Sequence, residues 1–404
     1  MPQTRFVTTP AQTPPARRYG FPLLAYAFAA VMMGTTLPTP IYALYAETMH
    51  FQVFTTTVIF ASYAIAVLAA LLLFGRWSDA IGRRPVLLAG AVAGLASAVV
   101  FLVADDVPLL LVGRLLSGLS AGIFTGTATA AVIEAVPADQ RERGAAVATA
   151  ANMGGLGLGP VFAGTLVQYL PHPLQLPFVV HIVLLVLAIG AVLLAPETSE
   201  RAGRIGFQRL SVPAETRSIF ITAGTAAFAG FAVMGLFTSV SPSFVATVIG
   251  NHNHAVAGAL ASSIFLASAT AQLVARRMAP PRAMAIGCAL LVLAMVALAI
   301  AVQISSMTGL IAAAVLAGIG QGISFSRGLA AVVERTPLER RAEVSSSYFV
   351  IAYVGISLPV VGLGLAAQDL GLRTAGVSFA IAVAIVSAIC LAAILVQEST
   401  SRPH

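Results

Sequence analysis

Apolar runs of about twenty residues, broken by short polar or charged segments, recur along the chain from Phe21 to Gln397. A stretch of that length and character is what an α-helix needs to cross the hydrocarbon core of a bilayer. The runs are interrupted near Gly75, Asp105, Ala138, Gln168, Pro196, Asn251, Arg276, Gln303, Arg335 and Gln368, with a broader first run ending near Tyr45. Of the 404 residues, 58% are hydrophobic, material for roughly eleven or twelve spans. Charged residues make up only 9%, too few to clothe a water-facing surface of this length. The expectation is an all-α polytopic membrane protein.

The net charge of +7 reflects topology rather than a nucleic-acid partner. All basic residues are arginine, and they alternate with the spans. Arg76, Arg83 and Arg84 follow the second run, Arg141 and Arg143 the fourth, and Arg201, Arg204, Arg209 and Arg217 the sixth. Arg276, Arg277 and Arg282, then Arg335, Arg340 and Arg341, continue the series, with Arg5, Arg17, Arg18 and Arg402 at the ends. Only Arg373 falls on the opposite side, while Arg114 and Arg327 lie within spans. The positive-inside rule puts both termini in the cytoplasm. Residues 1–20, polar and Pro-rich, read as a disordered cytoplasmic segment before an uncleaved first span. Cys288 and Cys390 sit in apolar spans and offer neither a disulfide framework nor metal-ligand spacing.

An internal repeat divides the chain. The stretch Gly122 to Arg141, GIFTGTATAAVIEAVPADQR, aligns with GISFSRGLAAVVERTPLERR, Gly322 to Arg341. Gly118, Gly122, Ala131, Val132, Glu134, Pro137 and Arg141 recur two hundred positions later as Gly318, Gly322, Ala331, Val332, Glu334, Pro337 and Arg341. Two bundles are therefore expected, residues 21–195 and 218–397, joined by a cytoplasmic linker over 196–217 and followed by a tail at 398–404. Parallel repeats about an axis along the membrane normal are a transporter architecture, with the substrate site between the halves near the midplane.

Three local motifs carry the chemistry. GRWSDAIGRRP, Gly75 to Pro85, is a short turn whose glycines let two helices approach and whose Asp79 sits among Arg76, Arg83 and Arg84. In VGRLLSGLSAGIFTG, Arg114, Gly118, Gly122 and Gly126 fall on one helical stripe, where small residues allow close backbone approach and an intramembrane arginine must be paired, hydrated or snorkelling. In GLGLGPVFAG, Gly155 and Gly159 form a small-xxx-small pair, Pro160 removes a backbone donor, and Gly164 closes the motif. Such a weakened helix is tolerated where a neighbour re-satisfies the freed carbonyl.

The first motif resembles the loop 2–3 signature of the major facilitator superfamily, with Trp77 at the usual Leu and Ala80 where an Arg is common. The resemblance implies twelve transmembrane helices in two pseudo-symmetric six-helix bundles, with Gly75, Asp79, Gly82, Arg83 and Arg84 as a conformational latch. Arg114 with Gly118 and Gly122 resembles the fourth-span motif, whose arginine is associated with proton coupling. Gly155, Gly159, Pro160 and Gly164 resemble the fifth-span signature of proton-exchanging exporters, with Ala163 in place of one glycine. By the same resemblance spans one, four, seven and ten line the cavity, offering Thr39, Tyr42, Phe231, Gln321 and Arg327. The first span has no acid, so the residues expected to take part in proton coupling are Arg114, Glu134, His181 and Glu334.

Together these readings predict a secondary transporter of the bacterial inner membrane that exports small amphipathic compounds in exchange for protons. It is expected to be a monomer with protons, a small-molecule substrate and the lipid bilayer as its partners, and to use no cofactor or metal. The competing reading is proton-coupled uptake of an anionic metabolite, suggested by Arg327 and the acid-free first span. A membrane receptor or enzyme has the least support: no zinc-binding helix motif, paired cavity carboxylates or phosphate-cradling loop is present.

Overall fold

The computed structural model describes residues 15–400. Among these it contains eleven helices long and apolar enough to cross a membrane. The last of them, Leu338–Gln397, is 60 residues long. At 1.5 Å per residue that is about 90 Å, far more than the ~30 Å hydrocarbon core requires. It breaks at Gly371, whose φ of 77° and ψ of 156° lie outside the helical region and suit a residue without a Cβ. The described residues thus form twelve spans: α1 Pro15–Thr36, α2 Val53–Phe74, α3 Arg83–Val103, α4 Val107–Glu134, α5 Arg141–Tyr169, α6 Leu176–Leu194, α7 Arg217–Ser239, α8 His254–Val274, α9 Pro280–Gln303, α10 Met307–Glu334, and α11 and α12, the two arms of Arg341–Thr400 before and after Gly371. The first helix starts at Pro15, inside the stretch expected to be disordered. Residues 1–14 lie outside the described residues, as do 401–404 of the expected tail.

The sequence repeat is a structural repeat. Helices α4 and α10 are both 28 residues long and begin and end two hundred positions apart. Each starts with an N-cap that satisfies an orphan amide, Asp106 accepting from Leu109 N at 2.8 Å and Ser306 from Gly309 N at 3.1 Å. Each ends before a 3₁₀ turn, Ala138–Gln140 or Leu338–Arg340, that leads into the next span.

The shared glycines explain why those positions match. A Cβ on Gly118 would meet Ala66 of α2 at 2.8 Å and clash with the Tyr63 carbonyl, and one on Gly318 would meet Ala267 of α8 at 2.9 Å and clash with the Ile264 carbonyl. Each half therefore packs its fourth helix onto its second through bare backbone, the small-residue contact that membranes favour.

Candidate functional site

The loop 2–3 motif forms a compact network at the Arg-rich face. Gly82, with φ 114° and ψ 154°, turns the chain from the short helix Trp77–Ile81 into α3. A Cβ there would sit 2.5 Å from Glu197 Oε2, so glycine is what lets that carboxylate reach the N-terminus of α3. Glu197 accepts from the amides of Arg83 at 2.8 Å and Arg84 at 3.2 Å, and from those of Thr198 and Ser199. Partial burial by itself would raise its pKa, but these four amide donors outweigh it and hold the carboxyl below the ordinary value.

Arg83 lies at the centre. It pairs with Asp79 at 2.6 Å and makes two bonds to Glu134 at the end of α4, Nε to Oε2 at 3.2 Å and Nη2 to Oε1 at 2.8 Å. The Thr198 hydroxyl donates to the same carboxylate at 2.8 Å. Arg84 instead donates to the Leu193 carbonyl at the C-terminus of α6, where a cation complements the helix dipole. The linker continues along this face. Gly203 donates to the Asp79 carbonyl at 3.0 Å, Gln208 to that of Leu72 at 2.8 Å, and Ser211 to the Ser347 hydroxyl of α11 at 3.1 Å. The linker packs closely here: a Cβ on Gly203 would sit 2.8 Å from the Asp79 carbonyl carbon and 3.0 Å from Ala80 N, so glycine is what fits.

Between the halves lies a cavity of about 420 Å³. It extends from Thr35, Thr36 and Arg114 near mid-span to Leu71, Thr129, Leu329 and Ser345, towards the Arg-rich face. Aromatic rings dominate its walls: Phe60, Tyr63, Phe231, Phe265, Phe325, Phe349 and Tyr353. Among the described residues, Arg114 is the only charged one that lines it, and none of the lining residues is Asp or Glu.

Arg114 is 1% exposed and does not snorkel. Its Nη1 donates to the Thr35 carbonyl at 2.7 Å, and its guanidinium lies 4.6 Å from the Tyr63 ring centre and 5.5 Å from that of Phe60. Two aromatic faces and a carbonyl offset part of the cost of burying this charge, but Nε has no partner.

The opposite face is closed by two seams. Along one, α5 meets α8: the Gln168 side chain accepts from His254 N at 2.8 Å, Gly164 packs on the His254 carbonyl, and Gly258 packs on the Pro160 carbonyl. Along the other, α2 meets α11, with Gly364 against Thr57 and Gln368 donating to Gln52 at 3.0 Å.

Pro160 joins three helices. Its missing amide would have bonded the Leu156 carbonyl, which instead accepts from the Thr36 hydroxyl of α1 at 2.7 Å. The next amide, Val161, donates to the Ser262 hydroxyl of α8 at 3.0 Å. Gly155 and Gly159 bring α1 close enough for this: a Cβ at Gly155 would lie 2.5 Å from the Ala29 carbonyl, and one at Gly159 would clash with Thr36 and the Met33 carbonyl. Ala163 is fully buried in the same packing.

Several expected cavity residues lie elsewhere. Pro38 and Pro40 end α1, so Thr39 sits in a buried 3₁₀ turn and Tyr42 starts the helix Tyr42–Met49, packed behind the closed face. Gln321 is behind the wall: its carbonyl oxygen accepts from Ser268 at 2.6 Å, and Ser268 accepts from Gln272, which does line the cavity. Arg327 donates to the Arg276 carbonyl at the end of α8, at 3.0 Å, and does not line the cavity. Phe231 does line it, 5.0 Å from the Phe325 ring.

Among the coupling candidates, His181 is packed, with Nε2 3.0 Å from the Ala30 carbonyl and its ring against Gly34. Glu134 pairs with Arg83 at 2.8 Å, and Glu334 is exposed. Spans two, five, eight and eleven also line the cavity. On α11 the spacing of Ser345, Phe349, Tyr353 and Ile356 was a readable signal for the facing stripe.

Comparison with known proteins agrees with this architecture. The family model described as Major Facilitator Superfamily matches residues 24–359 and 252–403. A class E tetracycline resistance protein of Escherichia coli is 34% identical over 107 residues, 26% of this chain and 26% of that protein. Multidrug resistance protein 2 of Bacillus subtilis (strain 168) is 26% identical over 156 residues, 39% of this chain and 38% of that protein. The chain thus aligns with well under half the length of these curated relatives.

Among solved structures, a bacterial homologue of the human lysosomal transporter Spinster, inward-facing and unoccupied, superposes with a TM-score of 0.75 at 15% identity, over 95% of this chain and 98% of that one. A POT family transporter in complex with 5-aminolevulinic acid does so with a TM-score of 0.75 at 12% identity, over 93% and 96%.

Proposed function

The chain belongs to the major facilitator superfamily, and from that premise we propose that it exports small amphipathic compounds across the bacterial inner membrane in exchange for protons, by alternating access. The observation that carries this reading is the aromatic cavity with one buried arginine, open towards the Arg-rich face and closed on the other. If the Arg-rich face is cytoplasmic, as the positive-inside rule expects, a cavity open on that side is inward-open and would load from inside. A cavity of this volume with mostly apolar walls suits a drug-sized molecule that partitions into membranes. The names of the relatives, tetracycline and multidrug resistance proteins, point the same way.

Turning outward requires the α5–α8 and α2–α11 seams to part and the Arg-rich face to close. Pro160 lies where this motion acts, because its neighbouring backbone groups are bonded to α1 in one half and α8 in the other. The loop 2–3 network would hold α2, α3, α4 and the start of the linker as one body during that motion. Proton coupling is supported by the placement of Arg114 at the cavity and by the fifth-span signature. The alternative, uptake of an anionic metabolite, draws no support from Arg327, which donates to the Arg276 carbonyl and is not among the cavity-lining residues.

A proteoliposome screen tests the proposal. With a pH dye trapped inside, amphipathic compounds that are substrates will dissipate an imposed gradient only in protein-containing vesicles. A panel in which no compound moves protons would contradict it.

A further inference from the structure

We propose that the substrates of this transporter carry an anionic group, a carboxylate or an acidic enol or phenol, which docks on Arg114. The inference rests on the transport reading and adds a substrate class to it.

Arg114 brings a permanent positive charge to the cavity wall, because a guanidinium does not lose its proton in proteins. Burial of such a charge is costly unless it is paired and its donors are satisfied. Here compensation is incomplete. Nη1 reaches a neutral carbonyl, two rings offer their faces, and Nε has no partner. None of the residues lining the cavity is acidic. Along the same helix the nearest carboxylates are the N-cap Asp106, eight positions away and accepting from Leu109 N, and Glu134, twenty positions away and held by Arg83.

The missing counter-charge can therefore arrive only through the cavity, on the ligand. The planar guanidinium fork suits a carboxylate, and the surrounding Phe60, Tyr63 and Phe231 suit the apolar body of an amphipathic acid. Thr35, Tyr63 and Tyr353 place hydroxyls beside one another next to this charge, where they can take the second oxygen of the anion. A cationic amphiphile would add a second positive charge in a low-dielectric pocket with no acid to receive it.

The test compares acids with their neutral amides. Tritiated 1-naphthoate, indole-3-acetate and salicylate, each paired with its amide, are measured by equilibrium dialysis against the full-length protein in detergent. At least one acid should bind roughly tenfold or more tightly than its amide, the effect expected for a hydrogen-bonded charge. Arg114→Gln should erase that preference, so that acid and amide bind alike. Arg114→Lys, which keeps the charge but loses the fork, should narrow the preference, and it serves alone if the Gln variant does not fold. The proposal is overturned if no acid outbinds its amide, or if the preference survives both substitutions. Counterflow of the same compounds in proteoliposomes separates the two readings. Acid-selective binding without counterflow would leave the anion site standing and remove transport.

Discussion

Arg83 grips Glu134 through two bonds, 2.8 and 3.2 Å long, tying the start of α3 to the end of α4. The arginine side chain is 12% exposed and the glutamate 34%, so the pair is partly shielded from water. Glu134→Gln removes the charge and leaves Arg83 with Asp79 and the Ser78 hydroxyl. The expected loss is about 1 kcal/mol, kept low because solvent screens the exposed carboxylate. A thermal melt in detergent should show it, and an unchanged midpoint would mean the latch contributes nothing in this state.

Thr36 and Pro160 make a second prediction. The Thr36 hydroxyl is the donor to the carbonyl that Pro160 leaves without its helical partner. Thr36→Val keeps the shape and orphans that carbonyl, at a cost of about 1–3 kcal/mol, whereas Thr36→Ser should cost much less. Gly159→Val, which drives a side chain into Thr36 and the Met33 carbonyl, should be worse than either. Melting midpoints should fall from Thr36→Ser through Thr36→Val to Gly159→Val.

The linker should release in acid. The folded-state pKa of Glu197 lies below the ordinary value of 4.5, so its capping contribution is fully present above pH 4.5. It is lost as pH falls below 4.5 and through the folded value. Hydrogen exchange of the Arg83, Arg84, Thr198 and Ser199 amides should accelerate in that window beyond the intrinsic rate, and Glu197→Gln should remove the pH dependence. Protection that persists in acid would contradict the capping role.

Arg327→Gln separates a structural arginine from a substrate arginine. It should lower stability by about 1 kcal/mol through the lost bond to the Arg276 carbonyl. The KM for any transported compound should stay within about twofold. A selective loss of anion transport would restore the residue to the binding site.

The span pattern, the repeat and all three motifs were legible because each is a local regularity. Apolar length shows a span, a shared Gly118 and Gly318 show a shared contact, and Asp79 among arginines shows an ion pair. What faces the cavity was harder to read. These helices are apolar on most sides, so composition does not distinguish a wall facing lipid from one facing the cavity. Thr39 and Tyr42 attracted attention as hydroxyl bearers beside prolines, yet those prolines turn them away from the cavity. Tyr63, Tyr353 and Gln272 lie on spans two, eleven and eight, outside the set of one, four, seven and ten that the resemblance assigns to the cavity. Glu197 was read only as part of a charged linker, since the bonds that define it come from a loop more than a hundred residues earlier.

The most direct test is accumulation in everted membrane vesicles. A radiolabelled substrate from the binding panel is added with a respiration-driven pH gradient, then again after the gradient alone is collapsed. The account predicts gradient-dependent accumulation by the wild-type protein, sharply reduced in Arg114→Gln. Accumulation indifferent to both the gradient and the substitution would contradict it.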